Sequence, residues 1–369
     1  MIDRKNFLLS GVQAVFAAGC TSVLSLRTSF AGVSSKDSGI LVRFLGSGAS
    51  GWKSEWAKKN PHIRRQSSIL VENKIVFDFT MCGFDHLPEN LVPAALFVTH
   101  SHGDHFNAPA VVRLGVRKVY THSSWTSHAK TVLEAAAQEA KAPAPEVIGI
   151  DFAAPVEIDG ITVTAVPSIH STSRLVDGQI ERTAMYLIEK GDSRLLYATD
   201  TAGIPGDAAR MIGIDRHITP QRFEKRPVDN PFVHKPQPLT AFIMEATNGD
   251  KDEDFRLFVH ASVQTVDRIV KMLKKTGRFT PPPGQKAYIT HLGLKYRDWP
   301  SEKIEADISP ELAAVCGVFI HGLAGDLAAK DKPVKKNLEK GGFRWSKESH
   351  CSRVFSHSSV LWLGRKSST

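Results

Sequence analysis

Short apolar runs separated by glycine and polar residues recur from residue 40 to residue 290. Runs of four to seven residues rich in Val, Ile and Phe, bounded by Gly, Pro, Asn or Asp, are typical of β-strands. They predict strands at residues 40–45, 68–71, 74–79, 94–99, 117–121, 156–158, 161–166, 184–188, 194–198, 241–245 and 286–290. Glu72 and Asn73, between the second and third runs, predict a hairpin turn.

Two segments show helical periodicity, at residues 127–141 and residues 262–275. Strands outnumber helices, and strand and helix alternate at the end of each half. This order predicts an α/β protein in which sheets are covered by helices, a layered αβ/βα architecture. Residues 203–240 are rich in Pro and Arg with little periodicity, and they predict an insertion or lid.

The first 31 residues have the layout of an export signal. Arg4 and Lys5 precede an apolar run at residues 7–26, and small residues up to Ala31 provide a cleavage site. The Arg-Lys start is similar to a twin-arginine signal, and the sequence ending at Cys20 is similar to a bacterial lipoprotein box. A single membrane anchor is the alternative, because about 20 apolar residues can span a bilayer. We expect an exported, periplasmic protein that contacts a membrane only through an uncleaved or lipidated N-terminus.

The net charge of +9 is concentrated at the two ends of the chain. Residues 330–369 hold ten Lys and Arg against three Asp and Glu, and residues 1–38 hold four against two. Residues 39–329 carry 33 charges of each sign, which excludes a uniformly basic nucleic-acid-binding core. We therefore expect no nucleic-acid partner. The basic, aperiodic tail at residues 330–369 is either disordered or an extension that packs against the domain.

Four scattered cysteines without a CxxC pair indicate neither a disulfide framework nor a cysteine zinc finger. Any metal must therefore be held by histidines and carboxylates. The densest group of such residues directly follows the strand predicted at residues 94–99, and it consists of His100, His102, Asp104 and His105. Imidazole nitrogen and carboxylate oxygen are zinc ligands, and four of them in one loop can converge on more than one ion. Unrelated histidines in a polar loop are the alternative, but HxHxDH at a strand end is far more specific than a lone histidine.

This motif resembles that of the metallo-β-lactamase superfamily of hydrolases, and the other expected ligands follow in order, each near the end of a predicted strand. The resemblance implies a four-layer αβ/βα metallo-β-lactamase sandwich over residues 40–325, with the predicted insertion at residues 203–240 inside it. It also implies two metal ions, either zinc or, with the same ligands, manganese or iron. The implied ligands are His100, His102 and His170 for one ion, Asp104, His105 and His291 for the other, and Asp200 as a bridge between them.

Further motifs resemble the phosphodiesterase and tRNA 3′-end endonuclease branch of this superfamily. They are Phe44–Gly48, Arg65–Val71 with Phe77-Asp78, and Met244–Thr247 followed by His260. In that branch the histidine that corresponds to His260 faces the substrate phosphate. The resemblance therefore implies His260 as a catalytic residue, together with Asp104 of the HxHxDH motif. His260 would contact phosphate or protonate the leaving oxygen. The alternative for His260 is a plain helix N-terminal residue with Ser262 near the cap, and Glu245 is expected to orient a histidine.

Together these features predict an exported hydrolase that cleaves a small anionic ester, a phosphodiester or a related ester, with water activated by two metal ions. One alternative is a lactonase or β-lactamase-like hydrolase that acts on a carbonyl centre. The presence of His105 disfavours a β-lactamase, because the main antibiotic-hydrolysing members of the superfamily usually lack this histidine. The other alternative is a non-catalytic, metal-containing binding protein. The sequence leaves the substrate and the oligomeric state open.

Overall fold

The computed structural model describes residues 39–51, 55–56, 63–214, 237–249, 258–283, 285–293, 296, 312–314 and 360–363. The predicted export signal at residues 1–31 lies outside the described residues. Most of the predicted insertion and most of the predicted tail also lie outside them. In the part of the chain that the structure describes, no helix combines the length and apolar character needed to span a membrane.

Strands make up most of the regular structure in the described residues. In chain order they are β1 Ile40–Gly46, β2 Ser68–Val71, β3 Ile75–Phe77, β4 Ala95–Phe97, β5 Lys118–His122, β6 Glu146–Ile150, β7 Pro155–Ile158, β8 Ile161–Pro167, β9 Leu175–Val176, β10 Gln179–Ile180, β11 Ala184–Lys190, β12 Ser193–Ala198, β13 Ala241–Glu245, β14 Ala287–Thr290, β15 Leu312–Ala314 and β16 Val360–Leu363. Within the described residues they form a seven-stranded sheet in the order β16-β1-β2-β3-β4-β5-β6, a second in the order β15-β14-β13-β12-β11-β8-β7, and a β9–β10 hairpin.

Four α-helices are described, and they cover the outer faces of the two sheets. They are α1 Ala108–Leu114, α2 Thr126–Ala140, α3 Gly206–Met211 and α4 Val263–Lys275. Buried side chains of α1 and α2 pack on the first sheet, and those of α3 and α4 pack on the second. A third apolar cluster, which includes Phe77, Phe97, Tyr186 and Tyr197, joins the inner faces of the two sheets. The predicted four-layer αβ/βα sandwich is therefore confirmed.

Each predicted strand and both predicted helices occur in the structure at nearly the predicted positions. Glu72 and Asn73 both have φ of 53°, as a tight turn between antiparallel strands requires. Ser262 caps α4 by accepting a hydrogen bond from Thr265 N at 3.1 Å. The predicted insertion at residues 203–240 contains the helix α3, which the sequence did not reveal because a six-residue helix is too short to show a period.

Four residues of the predicted basic tail form β16, which pairs antiparallel with β1. The register places Val360 opposite Arg43 and Leu363 opposite Ile40. Of the two alternatives for the tail, these four residues therefore follow the second, an extension that packs against the domain. Their backbone covers an edge strand that would otherwise expose unpaired N–H and C=O groups.

Candidate metal centre

All of the predicted ligands lie at one edge of the two sheets. His100 follows β4, His170 follows β8, Asp200 follows β12 and His291 follows β14, each within three residues of the strand end. Strands β12, β13 and β14 are parallel, so their carboxyl ends meet at the same edge. This topology brings residues that are far apart in sequence to one place. The structure gathers all seven predicted metal ligands, and it also places His260 beside them.

One group of side chains consists of His100, His102, His170 and Asp200, with one ligand atom of each within 4.8 Å of the others. His102 Nδ1 lies 2.9 Å from His100 Nε2 and 3.2 Å from His170 Nε2. Asp200 Oδ2 lies 3.1 Å from His100 Nε2 and 3.8 Å from His170 Nε2. This is the set that the sequence predicts for the first metal ion, together with the predicted bridging residue.

A second group consists of Asp104, His105 and His291. His291 Nε2 lies 3.1 Å from His105 Nε2 and 3.2 Å from Asp104 Oδ2. Asp200 contacts this group as well, because its Oδ2 is 3.1 Å from His105 Nε2 and its Oδ1 is 2.8 Å from His291 Nδ1. One carboxylate thus touches both groups, as a bridging ligand must.

The chemistry of these side chains fits divalent metal ions. Imidazole nitrogens that approach one another at 2.9 to 3.2 Å repel unless a proton or a cation lies between their lone pairs. Asp200 Oδ1 is buried and makes no hydrogen bond of good geometry, although His291 Nδ1 is close to it. Histidine nitrogens with a carboxylate oxygen at each group are a donor set that zinc accepts. The residues present therefore suit two ions.

The first group holds its histidines in the neutral form. Burial lowers the pKa of His102 and His170, and it lowers the pKa of His100 well below its usual value. A neutral imidazole has the free lone pair that a metal ion requires. These three side chains can therefore bind a cation without first releasing a proton at neutral pH.

The second group attracts positive charge. Burial alone would lower the pKa of His105, but Asp200, Asp78 and Asp104 outweigh it and raise this pKa well above the usual value. His291 has its pKa raised to about 10, because Asp200 and Asp104 outweigh burial. Burial raises the pKa of both Asp104 and Asp200, but the charges of the two histidines outweigh it and leave these pKa values below normal. The carboxylates thus require positive charge, which protons on His105 and His291 or metal ions can provide.

Asp78 fixes the orientation of His105. The buried Asp78 accepts hydrogen bonds from Thr99 N at 2.8 Å and Thr99 Oγ1 at 2.9 Å, and its Oδ2 lies 2.8 Å from His105 Nδ1. A proton on Nδ1 leaves Nε2 of His105 to face the centre. Thr99 Oγ1 also lies 3.0 Å from His100 Nδ1, so Asp78 is linked to both groups.

Glu245 connects His260 with His291. Its Oε1 lies 2.9 Å from His260 Nδ1, and its Oε2 accepts a hydrogen bond from Thr247 Oγ1, which is 2.7 Å from His291 Nδ1. The His260 ring lies 4.9 Å from the ring of His170. Burial would lower the pKa of His260, but the hydrogen bond and charge of Glu245 outweigh it and raise this pKa. His260 thus lies two residues before Ser262, the N-cap of α4, and it also contacts residues of the candidate centre.

Glu181 fixes the loop that carries His100 and His102, and sequence reasoning missed it. This buried carboxylate accepts hydrogen bonds from Ser101 N at 2.7 Å, from Ser101 Oγ and from Thr172 Oγ1 at 2.9 Å. Glu181 is 80 residues from Ser101, so no local pattern indicates the contact. Asp78 and Thr247, by contrast, lie in motifs that the sequence does display, although their contacts were not predicted.

Three residues of the centre have left-handed backbone conformations. Asp78 has φ of 53°, and Asp200 and His291 have φ of 48°. Residues other than glycine adopt this conformation only where surrounding contacts enforce it, and such residues cluster at functional sites. The fold thus forces two predicted ligands and one orienting residue into conformations that aim their side chains at the centre.

The sequence defines the family. Residues 85–280, just over half of the chain, match the Beta-lactamase superfamily domain. The protein therefore belongs to the β-lactamase superfamily, and its two sheets and helical layers are those of the metallo-β-lactamase fold. The matched region contains all the candidate site residues except Asp78 and His291.

Several solved structures are similar to this chain. The metallo-β-lactamase fold protein YhfI from Bacillus subtilis is 14% identical with a TM-score of 0.48, over 75% of this chain and 96% of that one. Human tRNase Z, short form, is 14% identical with a TM-score of 0.46, over 70% and 94%. Unliganded yeast PDE1 is 10% identical with a TM-score of 0.45, over 75% and 98%. Among curated proteins, no sequence matches this chain significantly.

Proposed function

We propose that this protein is an exported hydrolase that cleaves a small phosphodiester or related ester by means of two zinc ions. The observation that carries the proposal is the position of Asp200, which contacts both groups of predicted ligands at 3.1 Å through one oxygen. Two metal ions held there would supply Lewis acidity and a water molecule of lowered pKa.

The protein side chains supply binding geometry and a proton. His260 contacts Glu245 through Nδ1, which leaves its Nε2 available for a substrate. Because its pKa is raised, His260 carries a proton over a wider pH range than a free histidine. From Nε2 it would donate that proton to the leaving oxygen, which is the role expected of a general acid.

A general acid accelerates the reaction most when the leaving group is poor. The alkoxide released from a phosphodiester is strongly basic, and protonation in the transition state lowers the barrier to its departure. The sequence motifs around Glu245 and His260 are those that resemble the phosphodiesterase branch, which is why we prefer phosphorus to a carbonyl centre. The signal-like residues 1–31 support export, and we propose the periplasm as the location.

A substrate panel tests the proposal on protein purified without added metal. Metal analysis should find about two transition-metal ions per chain. The panel contains bis(4-nitrophenyl) phosphate, cyclic nucleotides, lactones and a cephalosporin, with Asp104→Ala as the control for contaminating enzymes. Phosphodiester turnover that is lost in Asp104→Ala supports the proposal. Turnover of lactones alone would instead establish the carbonyl-directed alternative, and two bound metals with a silent panel would favour a binding protein.

A further inference from the structure

The hairpin formed by β9 and β10 lies against the loop of the HxHxDH motif. Glu181 N donates a hydrogen bond to Arg174 O at 2.9 Å, so these two residues face each other just before the Leu175–Ile180 pair. In an antiparallel pair, opposite residues share a face of the ribbon. Val176 and Glu181 are buried, whereas Leu175 and Ile180 are exposed, so the face that carries Arg174 and Glu181 is the one turned toward the protein.

Arg174 is held beside the candidate metal centre by one of its five donors. Its Nε donates a hydrogen bond at 2.9 Å to the Oγ of Ser101, the residue between His100 and His102. Its backbone N donates to Thr172 Oγ1 at 3.2 Å, which fixes the start of the hairpin. Arg174 therefore contacts the segment that carries His100 and His102, and it follows His170 by four residues in the chain.

The guanidinium of Arg174 retains donors that can serve a ligand. Its side chain is 40% exposed, and within the described residues it forms an ion pair, at 3.5 Å from Nε, with Glu181, whose side chain is fully buried. That carboxylate already accepts three hydrogen bonds from Ser101 and Thr172. Among the described residues, no side chain or carbonyl forms a hydrogen bond with the Nη atoms of Arg174. A planar fork of N–H groups matches the oxygens of a carboxylate or phosphate.

Two described neighbours, His128 and Asp177, do not compete for the guanidinium. Burial and, after it, the charge of Arg174 lower the pKa of His128, so this histidine is neutral near pH 7. The acidic side chain at the turn of the hairpin, Asp177, accepts a hydrogen bond from Ser127. An arginine that is fixed at one atom and open at the others loses little conformational entropy on binding an anion.

We propose that Arg174 binds a second anionic group of the substrate while the scissile group occupies the metal centre. The inference rests on the proposed function, because it places the ester at the two metal ions. It narrows the substrate class to esters that carry a carboxylate or a second phosphate a short distance from the scissile bond. Arg174 is thus a specificity-determining residue rather than a catalytic one.

Binding of two phosphonates to the zinc-loaded full chain tests this inference without turnover. The probes are 2-carboxyethylphosphonate, which offers a phosphonate to the metal centre and a carboxylate to Arg174, and the isosteric neutral amide. Calorimetry on wild type should show at least about tenfold tighter binding of the carboxylate. In Arg174→Gln this preference should fall below about twofold while affinity for the amide stays within about twofold. The exposed Arg182 provides the matched control, and Arg182→Gln should keep the preference.

Each other outcome counts against the inference. No preference in wild type overturns it, and so does a preference that survives in Arg174→Gln. If Arg174→Gln weakens both probes equally, or lowers the zinc content, Arg174 acts only by holding Ser101 and the inference is wrong. The proposed function fails separately: absence of phosphodiester turnover with an intact, Arg174-dependent carboxylate preference would refute the reaction and leave the binding site.

Discussion

Replacing Asp78 by Asn should selectively lower the affinity of the centre for one of the two proposed metal ions. Asp78 is fully buried and uses both oxygens, one toward Thr99 N and one toward His105 Nδ1, each at 2.8 Å. Asparagine has a single oxygen. If that oxygen faces His105, the amide N–H₂ meets the Thr99 N–H, and two buried donors oppose each other. If it faces Thr99, His105 must carry its proton on Nε2, where the lone pair for the metal is needed.

Either arrangement should lower the metal affinity of the group that contains His105. Loss of an outer partner of a metal-binding histidine weakens metal affinity by about 10- to 100-fold, or about 1.4 to 2.7 kcal/mol. The effect on the group that contains His105 is direct. The group that contains His100 is reached only through Thr99 Oγ1, which keeps its own contact with His100 Nδ1 at 3.0 Å. We therefore expect the affinity for the ion at the group that contains His100 to change by less than about threefold.

Competition between the protein and a chromogenic chelator resolves the two zinc affinities and is the appropriate measurement. Asp159→Asn is the matched control, because Asp159 forms an exposed ion pair with Lys74 that should contribute little. The reasoning would be refuted if Asp78→Asn weakened both ions equally, or if it left both affinities unchanged.

Three further predictions follow from contacts in the structure. His260→Gln should lower kcat by about 10²- to 10⁴-fold for a phosphodiester with an alkoxide leaving group, but by less than about tenfold for a 4-nitrophenolate ester, with zinc content unchanged; equal losses would contradict a role as general acid. Burial lowers the pKa of His122 to about 4 from 6.5, so the unfolded chain binds a proton that the folded chain rejects, and stability should fall as the pH drops from 6.5 toward 4. Urea denaturation should show His122→Asn losing up to about 3 kcal/mol less than wild type over that range, and parallel pH profiles would contradict this. Gly293→Ala should lower both the melting temperature and zinc affinity, because a Cβ there would lie 2.2 Å from Thr247 O, whereas Gly103→Ala, with nothing within 4 Å, should change neither.

The parts of the fold that the sequence predicts well are those with a long apolar pattern. Strand β8 alternates apolar and polar residues, β11 begins with five consecutive apolar residues, and α4 has apolar residues at helical spacing, so each shows a clear pattern. The short elements α3 and the β9–β10 hairpin contain too few residues for a period to emerge. The existence of α3 depends on tertiary contacts, whereas the hairpin does carry a local signal, its Asp177-Gly178 turn with φ of 51° and 78°.

The same distinction applies to the candidate site. The ligand residues are recognisable through the HxHxDH spacing and through histidines and an aspartate that follow apolar strands. The residues that orient them are not, because Glu181 reaches Ser101 across 80 positions and Asp78 reaches His105 across 27. Such contacts are products of the folded topology. A carboxylate can take an orienting role from any nearby strand end, so sequence spacing does not constrain where it comes from.

Charge balance favours metal ions or protons at the candidate centre although the chain as a whole is basic. Four carboxylates, Asp78, Asp104, Asp200 and Glu245, lie buried or largely buried within a few contacts of one another. Burying several negative charges is unfavourable unless cations compensate them. The nine surplus positive charges belong to the terminal segments and not to residues 39–329, so compensation must be local. Two divalent ions at the predicted ligands would match these four carboxylates in charge, and we propose that the exposed donors of Arg174 then contribute to the attraction of an anionic substrate.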